Sequence, residues 1–376
     1  MIVGATPSSI SDPSTYIREV FVKNIQLRHS TPVTPPASGN EYNAPAGLRT
    51  RYVYECEVRN VAGWECSIGF AIYGNVSSRY VDCFAFRSSA GSSSINDIWR
   101  GFWLKGNPPV LAGGNASVHL VRCKASQGGT PALVDPVGFK LDGAFVDSFL
   151  SWCETSQIPV GIHVTGTGAA GTLSSNLDLH ISHPIIDQAS NIGIHIEQLA
   201  PSALVEIAHP YVACAASAFA ALYIHDGGGR ISIVGGQAIG SGGTTLGFYA
   251  VRQSGTNVAG LKLLNMARPV GVDSCSSFRI NPDIVNPDII ANPYQAAIRV
   301  DNSSRMVLQP ALSGRTNAFP QGIYLVGASN NYMEIDPTLI EPSCISGGAG
   351  NKVQINGIPI TSLGSTGTHY ITGVLA

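Results

Sequence analysis

Charge is scarce in this sequence. Of 376 residues only 12% are Asp, Glu, Lys or Arg, and 22 basic against 24 acidic side chains leave a net charge of -2. Such a balance gives no electrostatic footprint for nucleic acid, which calls for a basic face or stripe. No apolar run approaches the roughly 20 residues that cross a bilayer as a helix, and no secretory leader is expected. Eight cysteines are present, yet none stands in a Cys-x-x-Cys spacing, which argues against zinc and redox pairs. A nucleophile elbow and a phosphate loop are both missing, and no segment shows helical periodicity.

What the chain has instead is strict alternation over short stretches. Leu177, Leu179 and Ile181 alternate with Asp178 and His180, Pro184 breaks the run, and Ile194 and Ile196 then alternate with His195 and Glu197 after Gly193. These are half-buried strands joined by turn residues. The second part of the unit, Gly followed by apolar, any residue, apolar, recurs from Gly69, Gly101, Gly138, Gly161, Gly193, Gly247 and Gly322, with Ala221, Gly271 and Ala297 filling the intermediate slots. From Gly138 the starts lie 23, 32, 28, 26, 24, 26 and 25 residues apart. Two or three short strands in each period of twenty-odd residues predict a solenoid with strands for rungs. The fold expected is all-β, a right-handed parallel β-helix over residues 1–346.

The 42 Gly and 23 Pro suit many tight corners. With 44% hydrophobic residues and little charge, part of the long surface is expected to be buried between subunits. Cys56, Cys83, Cys123 and Cys153 each close a strand-like run and are expected to stack inside as compact buried thiols. The first rung-quality strand begins near Arg18 with nothing to cover it, so the chain reads as starting inside a domain, with a further domain expected upstream. Polar, Gly- or Pro-rich insertions are expected at 31–47, 88–97, 106–117 and 125–136, and insertions in repeat proteins gather on one face and often wall a binding surface. Residues 347–376 keep strand character without the rung pattern, as a cap or a trimer-locking segment.

Alternation also assigns sides. With Ile194 and Ile196 inward, a first outward column reads Trp103, Lys140, His163, His195, Tyr223, Tyr249, Asp273, Arg299 and Tyr324. A second reads Lys105, Asp142, Thr165, Glu197, His225, Val251 and Asp301. Aromatic faces stack on sugar rings while imidazoles and carboxylates bind hydroxyls, so Trp103, Lys140, His163, His195, Tyr223, Tyr249 and Arg299 are candidate contacts for a long polysaccharide. The same residue types suit an exposed β-face or a subunit contact, and alternation does not choose between these.

Two carboxylate pairs have spacings that glycoside cleavage can use. Asp142 and Glu197 lie in one column two rungs apart, about 9–10 Å, near the upper end of the inverting range. Asp178 and Glu206 are expected on adjacent rungs at about 5 Å, a retaining spacing. Any of the four also reads as a solvated carboxylate. Elimination is the competing chemistry, with Lys140, His163, His195 and Tyr223 supplying the base and the cation that neutralises a uronate. Asp178, His180 and His183 lack a fourth ligand, so neither metal nor other cofactor is expected.

The block from Leu177 to Gln188, the Gly-apolar-x-apolar repeats and the run from Tyr52 to Cys83 with its Tyr80, Val81 and Asp82 resemble the β-helical receptor-binding domain of bacteriophage tailspikes, related in fold to pectate lyases. The resemblance covers about residues 18–346. It implies a homotrimer on the virion tail, made in the host cytoplasm and attached to tail or baseplate through an upstream domain. It further implies binding and depolymerisation of a capsule or O-antigen, by hydrolysis or elimination. Hydrolysis is expected ahead of elimination, and a non-catalytic glycan-binding adhesin is the third alternative. A particle-binding domain and the Gly-Asp-Gly-x-x-Asp-Asp-like entry of such spikes are absent, and no invariant motif carries catalytic residues across.

Overall fold

Each rung is made by three short strands, and strands of successive rungs pair in parallel. The computed structural model describes residues 1–4, 17–28, 45–88, 98–106, 115–128, 134–166, 177–241, 245–285 and 297–313, with strand segments 323–326, 332–335, 345–347, 352–355 and 358–360. A first face runs from Ile2–Gly4 through Ile98–Lys105, Val134–Asp142, Val160–Thr165, Ile192–Glu197, Ala220–Gly227, Leu246–Gln253, Arg268–Asp273 and Ile298–Asp301 to Ile345–Gly347. The second face includes Asn115–Val121, Phe145–Ser151, Leu177–Ser182, Leu204–Ala208 and Arg230–Val234. The third includes Lys124–Gly128, Glu154–Ser156, Ile185–Ala189, Tyr211–Cys214 and Gln237–Ile239. The chain is a parallel β-helix.

Its core is a set of inward columns. Phe70, Phe102, Phe139, Ile162, Ile194, Leu222, Phe248, Val270 and Ile298 follow one another in register, and the first three rings stack at 4.6 and 4.8 Å. The recurring glycine has a specific cause. A Cβ on Gly193 would fall 2.3 Å from Val212 Cγ1 and 2.5 Å from the Ala221 carbonyl oxygen. The first face therefore approaches the third too closely for a side chain at that slot.

Corners are cut by single residues with positive φ. Between the second and third faces, Arg122, Trp152, His183 and His209 all take φ of 50–55°, while their backbone N–H groups still donate to the next rung, as from His183 to the Ala208 carbonyl at 2.8 Å. Isolated left-handed residues are costly for L side chains. The ladder hydrogen bonds they preserve offset that cost. The residue after the corner is Cys83, Cys123 or Cys153 in three rungs, and these thiols are buried and donate to backbone carbonyls, Cys123 Sγ to Tyr80 O at 3.3 Å.

The expected insertions fall largely outside the described residues, and those of their residues that are described lie mostly in strands. Residues 46–47, 115–117, 125–128 and 134–136 belong to strands. At the other end the parallel ladder passes residue 346: Lys352–Ile355 pairs in parallel with Tyr332–Ile335, and Ile358–Ile360 then folds back antiparallel. Residues 361–376 lie outside the described ones.

Candidate functional site

The first outward column holds as expected through Trp103, Lys140, His163, His195, Tyr223 and Tyr249, each paired with the next. One position differs. Tyr249 pairs with Gly271, and Asp273 belongs to the second column between Val251 and Asp301. Val270 and Val272 are the inward pair there, which slips the motif by two residues. Gly271 leaves room for its neighbour, since a Cβ would stand 2.7 Å from Tyr249 Cδ2.

Rings form a continuous pile along this column. His163 and His195 stack at 4.4 Å and 9°, His195 and Tyr223 at 5.3 Å and 18°, and Tyr223 and Tyr249 at 5.6 Å and 11°. Phe219, 40% exposed, sets its ring edge-on to both tyrosines. Such offset and T-shaped contacts are the favoured aromatic geometries. Val137, Val160 and Ile192 make an apolar strip against Tyr223. Parallel pairing fixes the spacing of the pile, so the strands themselves orient the rings.

Glu197 is the hub. Its Oε1 accepts from His163 Nε2 at 2.8 Å, and its Oε2 lies 3.3 Å from His225 Nε2. His225 Nδ1 donates to Asp226 Oδ2 at 2.7 Å, and its Nε2 is 2.9 Å from His195 Nε2. Asp226 in turn is gripped by Arg252 through contacts of 2.5 and 2.9 Å. Asp226 and Arg252 are both positive-φ residues near the ends of adjacent strands of the first face, and their side chains meet across the two rungs.

The electrostatics follow from these contacts. The hydrogen bond from His163 holds the Glu197 carboxyl below its usual range. Burial, reinforced by neighbouring His163, pushes His195 down to about 3. Arg252 and His225 draw Asp226 down to about 2. Burial raises the hydroxyls of Tyr223 and Tyr249, so both stay protonated at neutral pH.

The remaining candidates divide. Asp142, Thr165 and Glu197 do share one column. Asp142 is only 8% exposed, accepts from Trp103 Nε1 at 2.6 Å, and has Lys140 Nζ 3.8 Å from its other oxygen. Trp103 itself is 3% exposed and packs on Ile68 and Ala71, so an outward strand position does not make it an open platform for a sugar. Arg299 pairs with Asp301 at 2.6 Å, four rungs beyond His195. Asp178 and Glu206 are not cross-strand neighbours: Glu206 lies opposite His180, and Asp178 opposite Leu204. The His180 ring stands between them, Nδ1 at 2.8 Å from Glu206 and Nε2 at 3.2 Å from Asp178. His183 sits at the corner, stacked on Trp152 at 4.2 Å. Among the described residues, the donors that could hold a metal are elsewhere: His163, His195 and Glu197 offer ligand atoms within 4.8 Å of one another. Alternation had put His225 in the second column, but Asp226, Arg252 and Phe219 were missed. Their one sequence signal is that Asp226 and Arg252 each follow an outward-column residue by one or more positions at a strand end.

No family model matches the sequence, and no curated protein matches it. Among solved structures, the chain is similar to full-length tailspike protein 2 from Escherichia coli O157:H7 bacteriophage CAB120, at 10% identity and a TM-score of 0.44, over 91% of this chain and 42% of that one. It is similar to the A-module of mannuronan C-5 epimerase AlgE6 from Azotobacter vinelandii, at 11% and 0.48, over 90% and 81%. Tailspike protein 3 of bacteriophage CBA120 matches at 11% and 0.37, over 91% and 52%. The chain thus spans about half the length of these tailspikes. At such identities no residue role transfers, and the fold assignment rests on the strand pairing.

Proposed function

We propose that the chain binds a long uronate-bearing polysaccharide of a bacterial surface along its first face and cleaves it by β-elimination beside Glu197. The observation that carries this is the pile of His163, His195, Tyr223 and Tyr249 in one column with Glu197 and Lys140 at its flank. The tyrosines and Phe219 offer ring edges and hydroxyls to successive sugars, and the Tyr249 face toward Gly271 is the one tyrosine face outside the pile. His195, whose basicity the anionic uronate raises when it lies beside the ring, takes the proton from the carbon beside the uronate carboxylate, and Lys140 pairs with that carboxylate. The bond to the departing sugar oxygen then breaks, Tyr223 gives that oxygen its proton, and a carbon–carbon double bond remains in the sugar ring.

Elimination is favoured over hydrolysis because every carboxylate that hydrolysis would use already has a partner. Both oxygens of Glu197 face imidazoles, Asp142 lies under Trp103, and Asp178 and Glu206 share His180. Hydrolysis is the second reading, favoured by the shared column of Asp142 and Glu197 two rungs apart, about 9–10 Å. Incubation with purified capsules and O-antigens tests both. Shortened chains with the ultraviolet absorbance of an unsaturated uronate support elimination. New reducing ends without that absorbance move the site to Asp142 and Glu197, and binding without shortening leaves a glycan adhesin. Assembly as three copies on a virion tail belongs to the same proposal and rests on the sequence resemblance; the mass in solution by light scattering checks it.

A further inference from the structure

The Glu197 cluster holds more lone pairs than protons. Count them with one proton on each imidazole. The N–H of His225 is its Nδ1, committed to the Asp226 carboxylate at 2.7 Å. The lone pair at His225 Nε2 then faces Glu197 Oε2 at 3.3 Å and His195 Nε2 at 2.9 Å. His163 gives its Nε2 proton to Glu197 Oε1 at 2.8 Å. If His195 gives its proton to His225, nothing lies between His225 Nε2 and Glu197 Oε2 but two lone pairs. Facing acceptors in a half-buried place are unfavourable unless a positive charge joins them, either a second proton on His225 or a bound cation.

We infer that His163, His195 and Glu197, with His225 beside the last two, form a binding site for one divalent transition-metal ion of the zinc class. Imidazole and carboxylate donors suit zinc, nickel, copper and cobalt, whereas calcium and magnesium call for oxygen-rich sets. In a tetrahedral zinc site with bonds of about 2.0–2.1 Å, donor atoms stand about 3.3 Å apart. The donor contacts here are 2.8, 2.9 and 3.3 Å, and the His163, His195 and Glu197 atoms all lie within 4.8 Å. Three consecutive rungs supply the ligands, so parallel pairing fixes their backbones before any ion arrives. The Asp226 carboxylate behind His225 is the outer partner that metal-binding histidines use to fix tautomer and ring orientation. No such partner would be needed for a ring that merely filled the face.

An ion here occupies the His195 lone pair that the proposed elimination uses, so metal occupancy and turnover exclude each other. Binding needs no glycan and is measured without one, which keeps the two proposals separately testable. The full chain, stripped with chelator, is dialysed against zinc chloride and then assayed for zinc content, with cobalt substituted to give a visible spectrum. The expected result is one ion per chain, a tetrahedral cobalt spectrum and a zinc-dependent rise in Tm. Glu197→Gln combined with His163→Ala should abolish all three, while Asp226→Asn should weaken binding about 10–100-fold. His209→Ala, at a corner away from the cluster, should bind as the parent does. Far-ultraviolet dichroism of the metal-free variants establishes that they are folded. Sub-stoichiometric zinc in the parent, or equal zinc in the folded double variant, would overturn the assignment.

Discussion

Replacing His195 with Gln separates the chemistry proposed for the first face from its capacity to hold a glycan. The ring stacks on His163 at 4.4 Å and on Tyr223 at 5.3 Å, and each such contact contributes about 0.5–1.5 kcal/mol. The variant should thus lose about 1–3 kcal/mol of stability and remain folded, since the inward columns are untouched. Its binding surface loses one ring while Tyr223 and Tyr249 stay, so affinity should fall by no more than about tenfold, or about 1.4 kcal/mol. Turnover should fall about 10²–10⁴-fold, the usual contribution of a positioned base, which is about 2.7–5.5 kcal/mol of barrier. Initial rates of double-bond formation at saturating glycan give the first quantity and calorimetry on the variant the second. Tyr249→Ala is the counterpart, expected to weaken binding several-fold while leaving the saturated rate within about threefold. If His195→Gln keeps its rate within about threefold of the parent, His195 is not the base and the elimination mechanism fails.

Other predictions test the scaffold. Phe102→Ala, between Phe70 and Phe139, should lower unfolding stability in urea by about 3–5 kcal/mol; a loss below about 1.5 kcal/mol would mean the pile collapses to fill the gap. Gly193→Ala should cost about 1–3 kcal/mol by forcing its Cβ into Val212 and Ala221, and an unchanged melting curve would contradict the close approach of the two faces. Burial pushes the Cys56 and Cys214 thiols up to about 12 and Cys275 up to about 11, so thiol reagents at mildly alkaline pH should label them only on unfolding; fast native labelling of any, located by peptide mapping, would refute their burial. The Arg122 guanidinium holds Asp82 below its usual range. A depressed folded pKa stabilises above the unfolded value near 3.9 and is lost as pH falls through the folded one. Both side chains are half exposed, so Arg122→Ala should lower stability only slightly at neutral pH and not at all in strong acid, as read by urea unfolding at the two pH values.

Much of the architecture was legible because a β-helix repeats a local rule. Leu177, Leu179 and Ile181 alternate with polar residues, and the structure buries the same three. The outward column from Trp103 to Tyr249 followed from counting by twos after each glycine. That counting failed at Gly271, where Pro269 and Val270 shift the inward pair and the glycine becomes the outward residue. It failed for Asp178 and Glu206 for a related reason. A column is set by cross-strand register, and strands of different rungs start at different points, so His180 rather than Asp178 meets Glu206.

The site was harder to read than the scaffold because its contacts cross columns and turn corners. His163 reaches diagonally from the first column of one rung to Glu197 in the second column of the next. Alternation records the side of the sheet on which a residue stands and is silent on such diagonals. Asp226 and Arg252 are further out of reach, because their positive φ breaks the in-and-out alternation within Ala220–Gly227 and Leu246–Gln253; Asp226 is the chain neighbour of the His225 it binds. Burial adds the last difference. Trp103, Asp142, His163 and Thr165 are outward by position yet under 9% exposed, while His195, Tyr223 and Tyr249 are half-buried. The outward face is thus a wall whose lower rungs are closed except at the half-buried Lys140, and whose continuous open stretch begins at His195. Any glycan lying along it meets the His195 ring at the boundary between the two, where a half-buried ring has both access to substrate and the low dielectric that strengthens its contacts.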